Sequence, residues 1–381
     1  MPNIGDLRQK QALPLDAKVA MTQARIREWY NHFNGDVCVS FSGGKDSTVL
    51  AHLVHTVCPD VPLIFANTGL EYPEIQSFAR KMGAKFVYPK MRFDQVISEF
   101  GYPLISKETA EVIHGARNIQ NGEKGQRKGT GVPRKNPDGY WLNWRRKALQ
   151  GLPPFDSGHY KKTKWAALAQ ECQFNISQRC CNIMKKAPLH DYQEETHQMP
   201  YIGTLTDESY RREQKWLQQG CNAFDAKYKT SQPMSFWKEQ DVLHYIKREG
   251  IEIASVYGDI VAYDKKSGFE YEPLPGFDCE LKCTGCDRTG CIFCGFGCHL
   301  EKGETRFQRL AKTHPKQYEY CMRGGQWVDN PKFDPTAPKY DGEWKNWNPK
   351  KIWCPSKKGL GMKKVFDDIN ALYGKDFIRY E

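Results

Sequence analysis

The chain is expected to fold as an α/β protein with a doubly wound, mainly parallel sheet. Three observations predict this. Apolar strand-like runs at Val37–Phe41, Pro62–Ala66 and Lys85–Tyr88 alternate with helix-like segments at the spacing of βαβ units. The first run breaks into Ser42-Gly43-Gly44-Lys45-Asp46-Ser47, and the second into Asn67-Thr68-Gly69. Both breaks fall at the carboxyl ends of strands, where open parallel sheets place their ligands.

Taken in order, residues 18–33 read as an amphipathic helix that leads into the first strand. The turn Ser42–Ser47 opens a helix running to about Thr56. A strand, a tight glycine turn and a helix N-terminus place backbone N–H groups, two hydroxyls and an ammonium around one point, which suits a phosphate. The spacing is not that of the P-loop, which needs four residues between its first Gly and the Gly-Lys pair. Pro73 starts a second helix carrying Ile75, Phe78 and Met82, and Gly83 precedes the third strand. Residues 115–160 then form a basic, aromatic insertion. It is rich in Gly, Pro and Asn, with Arg127-Lys128, Arg134-Lys135 and Arg145-Arg146-Lys147 interleaved with Tyr140, Trp141, Trp144 and Phe155. Helical periodicity returns near Thr163–Cys172, and α/β character resumes through Tyr201–Thr204 and Val242–Arg248. A final helix is expected over Lys363–Tyr373.

The 381 residues divide on this reading into an N-terminal helical segment (1–33), a nucleotide-binding α/β domain (34–275), a Cys-rich region (276–325) and a basic aromatic extension (326–381). A net charge of +11 favours polyanionic partners. No apolar run reaches the length of a membrane span, and no basic-then-apolar leader opens the chain, so a cytoplasmic protein without membrane attachment is expected. Cytoplasmic thiols are normally reduced. Fourteen cysteines, six of them between Cys279 and Cys298, therefore point to metal or iron–sulfur ligation.

The motifs together resemble a known family. Ser42–Ser47 is similar to the pyrophosphatase (PP) loop of adenine-nucleotide hydrolases that cleave ATP between its α and β phosphates. Asn67-Thr68-Gly69-Leu70-Glu71-Tyr72-Pro73-Glu74 resembles the second nucleotide segment of the branch that contains phosphoadenylylsulfate reductase. Gly203-Thr204-Leu205-Thr206-Asp207-Glu208-Ser209 with Arg212, and Pro233-Met234-Ser235-Phe236-Trp237 with Asp241-Val242, follow in family order. The resemblance implies an adenine nucleotide, ATP or a relative, with Mg²⁺. Ser42, Gly43, Gly44 and Ser47 would hold phosphates, Lys45 would offset charge, and Asp46 would orient the loop or hold the ion. Asn67 and Thr68 would border adenosine, and Arg212 joins Lys45, Asp46 and Ser47 as a catalytic candidate. Alone, without its partner loop, Asn67-Thr68-Gly69 reads as a strand-ending turn.

Cys180-Cys181, followed by Lys185 and Lys186, is similar to the tandem cysteines of adenylylsulfate reductases. That likeness implies a [4Fe–4S] cluster on Cys180, Cys181, Cys291 and Cys294. Cys283 and Cys286 compete with the later pair. Those four spaced thiols would also suit zinc or a redox dithiol, and an adjacent Cys pair can be ordinary buried thiols. The reductases' terminal Glu-Cys-Gly-Leu-His segment is missing, and the loop follows the ATP-cleaving form. Two enzymatic readings result: ATP-dependent adenylation of an acceptor for iron–sulfur-dependent sulfur transfer, or reduction of a sulfonucleotide to sulfite. A nucleic-acid-binding module with a structural cluster is a third. The expected partners are a tRNA or DNA acceptor, a sulfur or electron donor protein and a second copy of the chain. Local packing is the alternative for the tail residues Trp344, Trp347 and Trp353.

Overall fold

Strand β1 (Val37–Ser40) is buried on both faces through Val37, Cys38 and Val39, as a central parallel strand must be. The computed structural model describes residues 3–118, 140–272, 279–341 and 344–381. The chain divides into two units, each assembled from two segments: residues 1–90 with 184–291, and 91–183 with 292–381. Of the sequence segments, 1–33 falls in the first and 326–381 in the second, while 34–275 and 276–325 are each divided between them.

In the first unit, helix α1 (Ile4–Gln11) starts at a capping box in which Asn3 and Asp6 exchange 3.0 Å bonds. Helix α2 (Leu15–His32) buries Thr22, Ile26 and Trp29, a stripe at helical spacing. After β1 come α3 (Lys45–Val57), β2 (Leu63–Ala66), α4 (Pro73–Lys81) and β3 (Lys85–Val87). Pro73 sits at the first turn of α4, where its missing N–H costs nothing. Beyond residue 184 follow α5 (Ala187–Thr196), β4 (Met199–Ile202), α6 (Tyr210–Gln219), β5 (Asn222–Ala223), β6 (Thr230–Ser231) and α7 (Glu239–Glu249).

These strands form one sheet in the order β3-β2-β1-β4-β6-β5. All neighbours are parallel except the edge pair β5–β6. Helix α5 lays Leu189 and Tyr192 on Cys38, Ile64 and Val87. Burial of each large side chain in such a cluster contributes about 1.5–3 kcal/mol. The chain runs outward from β1 to β2 and β3, then returns to add β4 on the other side of β1. That reversal is the topological switch point, and the carboxyl ends of β1 and β4 flank it. A second sheet of this unit joins β7 (Ile260–Tyr263), β8 (Glu270–Tyr271) and β9 (Leu281–Cys283).

The second unit is mainly helical, with short strand pairs such as Leu104–Ile105 with Gly295–Phe296 and Gln326–Asp329 with Lys351–Cys354. Tyr102, Phe174, Phe307 and Phe366 are fully buried in it, and the Tyr102 hydroxyl donates to Leu360 O at 2.7 Å. The basic runs at 127–128 and 134–135 lie outside the described residues, as do the side chains of Tyr140 and Trp141. Within Tyr140–Gln150 the expected basic surface is corrected in part. Arg146 is only 4% exposed and its Nε donates to Ala116 O, while Arg145 pairs with Glu111. In the tail, Trp344 and Trp347 are buried, and Trp347 Nε1 donates to Cys172 O at 2.7 Å. They pack the unit, while Lys345, Lys350, Lys351, Lys357 and Lys358 remain exposed. Among the described residues no helix is long and apolar enough to cross a membrane.

Candidate functional site

The loop Ser42–Ser47 leaves β1 at the switch point and opens α3 with Gly44 as N-cap. Gly43 has φ +71°, and a Cβ there would fall 2.8 Å from Ile75 Cγ2, so only glycine fits without strain. Gly203, just past β4, lies so close that a Cβ would sit 3.1 Å from Asp46 O and Ser47 Cα. The two strand ends therefore meet at the loop.

Inside the loop, Ser42 N–H donates to Ser47 Oγ at 3.2 Å, and the two serine hydroxyls are 3.0 Å apart. Ser47 Oγ donates to Gly44 O at 2.9 Å. Lys45 is 4% exposed, and its ammonium meets Glu239 at 2.9 Å and donates to Asp287 O at 3.1 Å. Burial alone would lower the Lys45 pKa, but Asp46 and Glu239 outweigh it, so the ammonium is held above its ordinary value. Asp46 responds the other way: burial raises its pKa and wins over the attraction of Lys45. Its Oδ1 is buried without a hydrogen-bond partner, 3.9 Å from the Lys45 ammonium. A small cavity beside Lys45 and Asp46 is walled by Asp207, Glu208, Glu239 and Arg288.

The turn after β2 closes on itself. Glu71 accepts from Thr68 N–H at 3.1 Å and from Thr68 Oγ1 at 2.7 Å, and Asn67 Oδ1 accepts from Gly69 N–H. A cavity of about 150 Å³ runs between the ends of β1 and β2, lined by Ser42, Phe65, Glu71, Ile75, Lys185 and Thr289 among others. Arg212, on α6, pairs with Glu208, which Arg288 also approaches at 3.5 Å. Burial lowers the Arg212 pKa.

Sequence reasoning missed four members of this site. Tyr257 OH accepts from Lys45 N–H at 3.2 Å and bonds Thr289 Oγ1 at 2.7 Å; Arg288 and Glu239 complete the set. Tyr257 and Thr289 come from parts of the sequence with no phosphate-binding pattern. Arg288 and Thr289 lie between Cys286 and Cys291, inside a stretch whose pattern is dominated by cysteine spacing. That stretch belongs to the phosphate loop's own surroundings.

The cysteine candidates fall in both units: Cys291, Cys283 and Cys286 in the first, Cys180, Cys181 and Cys294 in the second. Cys180 is buried, and a π-helical turn, Asn182–Lys186, follows the tandem pair. Cys283 is buried, which pushes its thiol up to about 11 despite Lys45. Among the described residues no three or more His, Cys, Asp or Glu side chains gather as a metal-ion site. Mg²⁺ needs no such closed set, because it takes one or two carboxylates with substrate phosphates. The partnerless buried oxygen of Asp46 fits that role.

Comparison with known proteins identifies the family of the chain. The phosphoadenosine phosphosulfate reductase domain matches residues 36–100 and 154–295, more than half of the chain. A phosphoadenosine 5′-phosphosulfate reductase of Shigella dysenteriae is 32% identical over 63 residues, which is 16% of this chain and 26% of that protein. An adenosine 5′-phosphosulfate reductase of Anoxybacillus flavithermus is 30% identical over 90 residues, 23% of this chain and 36% of that one. An uncharacterized protein of Methanocaldococcus jannaschii is 42% identical over 64 residues, 16% of each chain. The chain thus spans well under half the length of these curated relatives. The crystal structure of a phosphoadenylyl-sulfate reductase from Candida auris aligns over 67% of this chain and 91% of that one, at 11% identity and a TM-score of 0.33. On the extent of the domain match, the chain belongs to the phosphoadenosine phosphosulfate reductase-like family of the PP-loop superfamily.

Proposed function

We propose that the chain is an ATP pyrophosphatase-type enzyme that adenylates an acceptor for sulfur transfer. The observation that carries this is the pairing at the loop of a buried lysine with a carboxylate oxygen that has no hydrogen-bond partner. ATP would lie with its terminal phosphates on the Gly43–Gly44 amides and the Ser42 and Ser47 hydroxyls. Lys45 would meet the charge that grows on the bridging oxygen as the α–β bond opens, as fixed donors do in phosphoryl chemistry. Magnesium, held by Asp46 and phosphate oxygens, would supply Lewis-acid assistance to the leaving pyrophosphate. An acceptor oxygen attacks the α-phosphorus, pyrophosphate departs, and a sulfur nucleophile from a donor protein then displaces AMP.

The acceptor we propose is nucleic acid, tRNA or DNA, supported by the exposed lysines of the C-terminal tail and the overall charge of +11. Cys180, Cys181, Cys291 and Cys294 offer the thiolate chemistry that a [4Fe–4S] cluster takes.

Sulfonucleotide reduction is the second reading, favoured by the family match and by two of the relatives' names. It needs a thiolate near the nucleotide. The buried thiol that feels the Lys45 charge, Cys283, is pushed to about 11 and stays protonated at neutral pH. The test is product analysis on anaerobically prepared protein. Acceptor-dependent formation of AMP and pyrophosphate from ATP is expected. Sulfite released from a sulfonucleotide, with ATP left intact, would replace the adenylation reading by the reductase one.

A further inference from the structure

The second unit contains a cavity of about 530 Å³ that the chemistry at Ser42–Ser47 does not use. That volume matches a small-molecule pocket. One end of it is cationic. Arg117 is fully buried there, donating to Leu168 O, Ala169 O, Cys172 O and Phe174 O at 2.6–3.2 Å and lying 4.2 Å from the Trp347 ring. Among the described residues no carboxylate pairs with it. Carbonyl dipoles and the ring hold the guanidinium, but its net charge stays uncompensated next to open space.

Lys332 also lines the cavity, its ammonium donating to Oδ1 of Asn118, next in sequence to Arg117, at 3.1 Å, and His114 is a further lining residue. Burial chiefly, with Arg179, Lys332 and Arg117 adding to it, pulls His114 down to about 4. Glu99, exposed at the rim, is the carboxylate that lines it. The rest of the lining is mixed: Phe100, Ile176, Val328 and Ile352 are apolar, and Ser98, Asn175, Gln326 and Asn330 add polar groups.

A cationic end, apolar side chains interspersed with amides and a hydroxyl, and this volume are complementary to a base that carries phosphate. We propose that the cavity binds one nucleoside monophosphate unit, its phosphate toward Arg117 and Lys332 and its base against the apolar side chains. The unit is either a free nucleotide or the 5′-phosphorylated end of a single strand, and the recognition chemistry is the same.

The experiment uses the full chain and photocrosslinking with 4-thiouridine 5′-monophosphate, followed by peptide mapping. Labelling of peptides that carry Phe100 or Trp347 is expected, competed by UMP and not by uridine at equal concentration. Lys332→Glu should lower that labelling at least about five-fold, equivalent to about 1 kcal/mol. Lys316→Glu, exposed on the helix Pro315–Met322, should leave it unchanged. A 5′-phosphorylated tetranucleotide with 4-thiouridine at its end, compared with the monophosphate, tells strand from free nucleotide by which labels at the lower concentration. Label confined to peptides of residues 37–90 overturns the proposal while leaving the loop's nucleotide reading intact. Competition by uridine equal to that by UMP, or equal labelling of Lys332→Glu and wild type, overturns it as well.

Discussion

Tyr257→Phe isolates one contact on which the phosphate loop rests. The hydroxyl accepts from the Lys45 amide at 3.2 Å and bonds Thr289 Oγ1 at 2.7 Å, while the ring lies 5.9 Å from the Lys45 ammonium. The substitution keeps the ring and deletes only the oxygen. It strands the Lys45 N–H, one of the first-turn amides of α3 that the helix cannot satisfy itself. A buried donor left without a partner costs about 1–3 kcal/mol. At about 1.4 kcal/mol per decade, exchange of the Lys45 amide should accelerate about 10- to 100-fold. Hydrogen–deuterium exchange on a peptide covering 42–50 reads this directly. Thr289→Val should produce part of the same effect. The double variant should fall short of the sum by about 1 kcal/mol, since contacting partners are not additive. Exchange at Lys45 within about two-fold of wild type would refute the reasoning. The Ser42–Ser47–Gly44 bonds would then hold the loop without Tyr257.

Further outcomes are expected at other positions. Lys45→Met should lower pyrophosphate release about 10²- to 10³-fold, the usual loss of one charge-stabilising group, and should also lower the thermal midpoint, because Asp46 and Asp287 O lose a buried partner. Asp46→Asn should raise the magnesium concentration needed for half-maximal turnover about ten-fold, a change of about 1.4 kcal/mol, as read by metal titration at fixed ATP. Arg117→Met should destabilise the second unit by about 3–5 kcal/mol, because it leaves four carbonyls without their donor; urea unfolding followed by Trp fluorescence measures it. His114 is held at about 4 in the fold, below its unfolded value near 6.5. Its protonation therefore favours unfolding: stability is full above about 6.5 and declines as pH falls toward 4. Urea midpoints at pH 7.5, 5.5 and 4.5 should show that decline, and His114→Asn should flatten it.

What the sequence makes legible follows the range of the interactions. The loop is local: glycine freedom, the N-cap and the serine hydroxyls all lie within six residues, so their pattern is readable before folding. The parallel strands are similarly plain because burial on both faces forces continuous apolar runs, as at Val37–Val39. Tyr257 and Thr289 were illegible because they reach Lys45 across more than two hundred residues, and nothing in their neighbourhood announces a phosphate. Strands β5 and β6 have two residues each, too few for any period to show. Arg146 and Trp347 show a different limit. Composition assigns basic and aromatic residues to a ligand surface, yet a guanidinium that finds carbonyls, or an indole that finds one, is equally at home inside. The start of helix α1, inside the helical segment expected over 1–33, was legible in the capping pattern of Asn3 and Asp6.

The interleaving of the two units has a consequence for how the chain is made. Strand β1 cannot gain its β4 neighbour, Val37 opposite Met199, until some 160 residues after it have been synthesised. The first unit draws on residues up to 291 and the second on residues up to 381. A nascent chain stopped at residue 183 therefore contains neither unit whole, and exposes a half-built sheet whose central strand is apolar on both sides. Contacts this distant in sequence slow folding and lengthen the exposure of sticky edges. On the ribosome, the N-terminal 90 residues would be the part in greatest need of a chaperone and the last to benefit from their own early arrival.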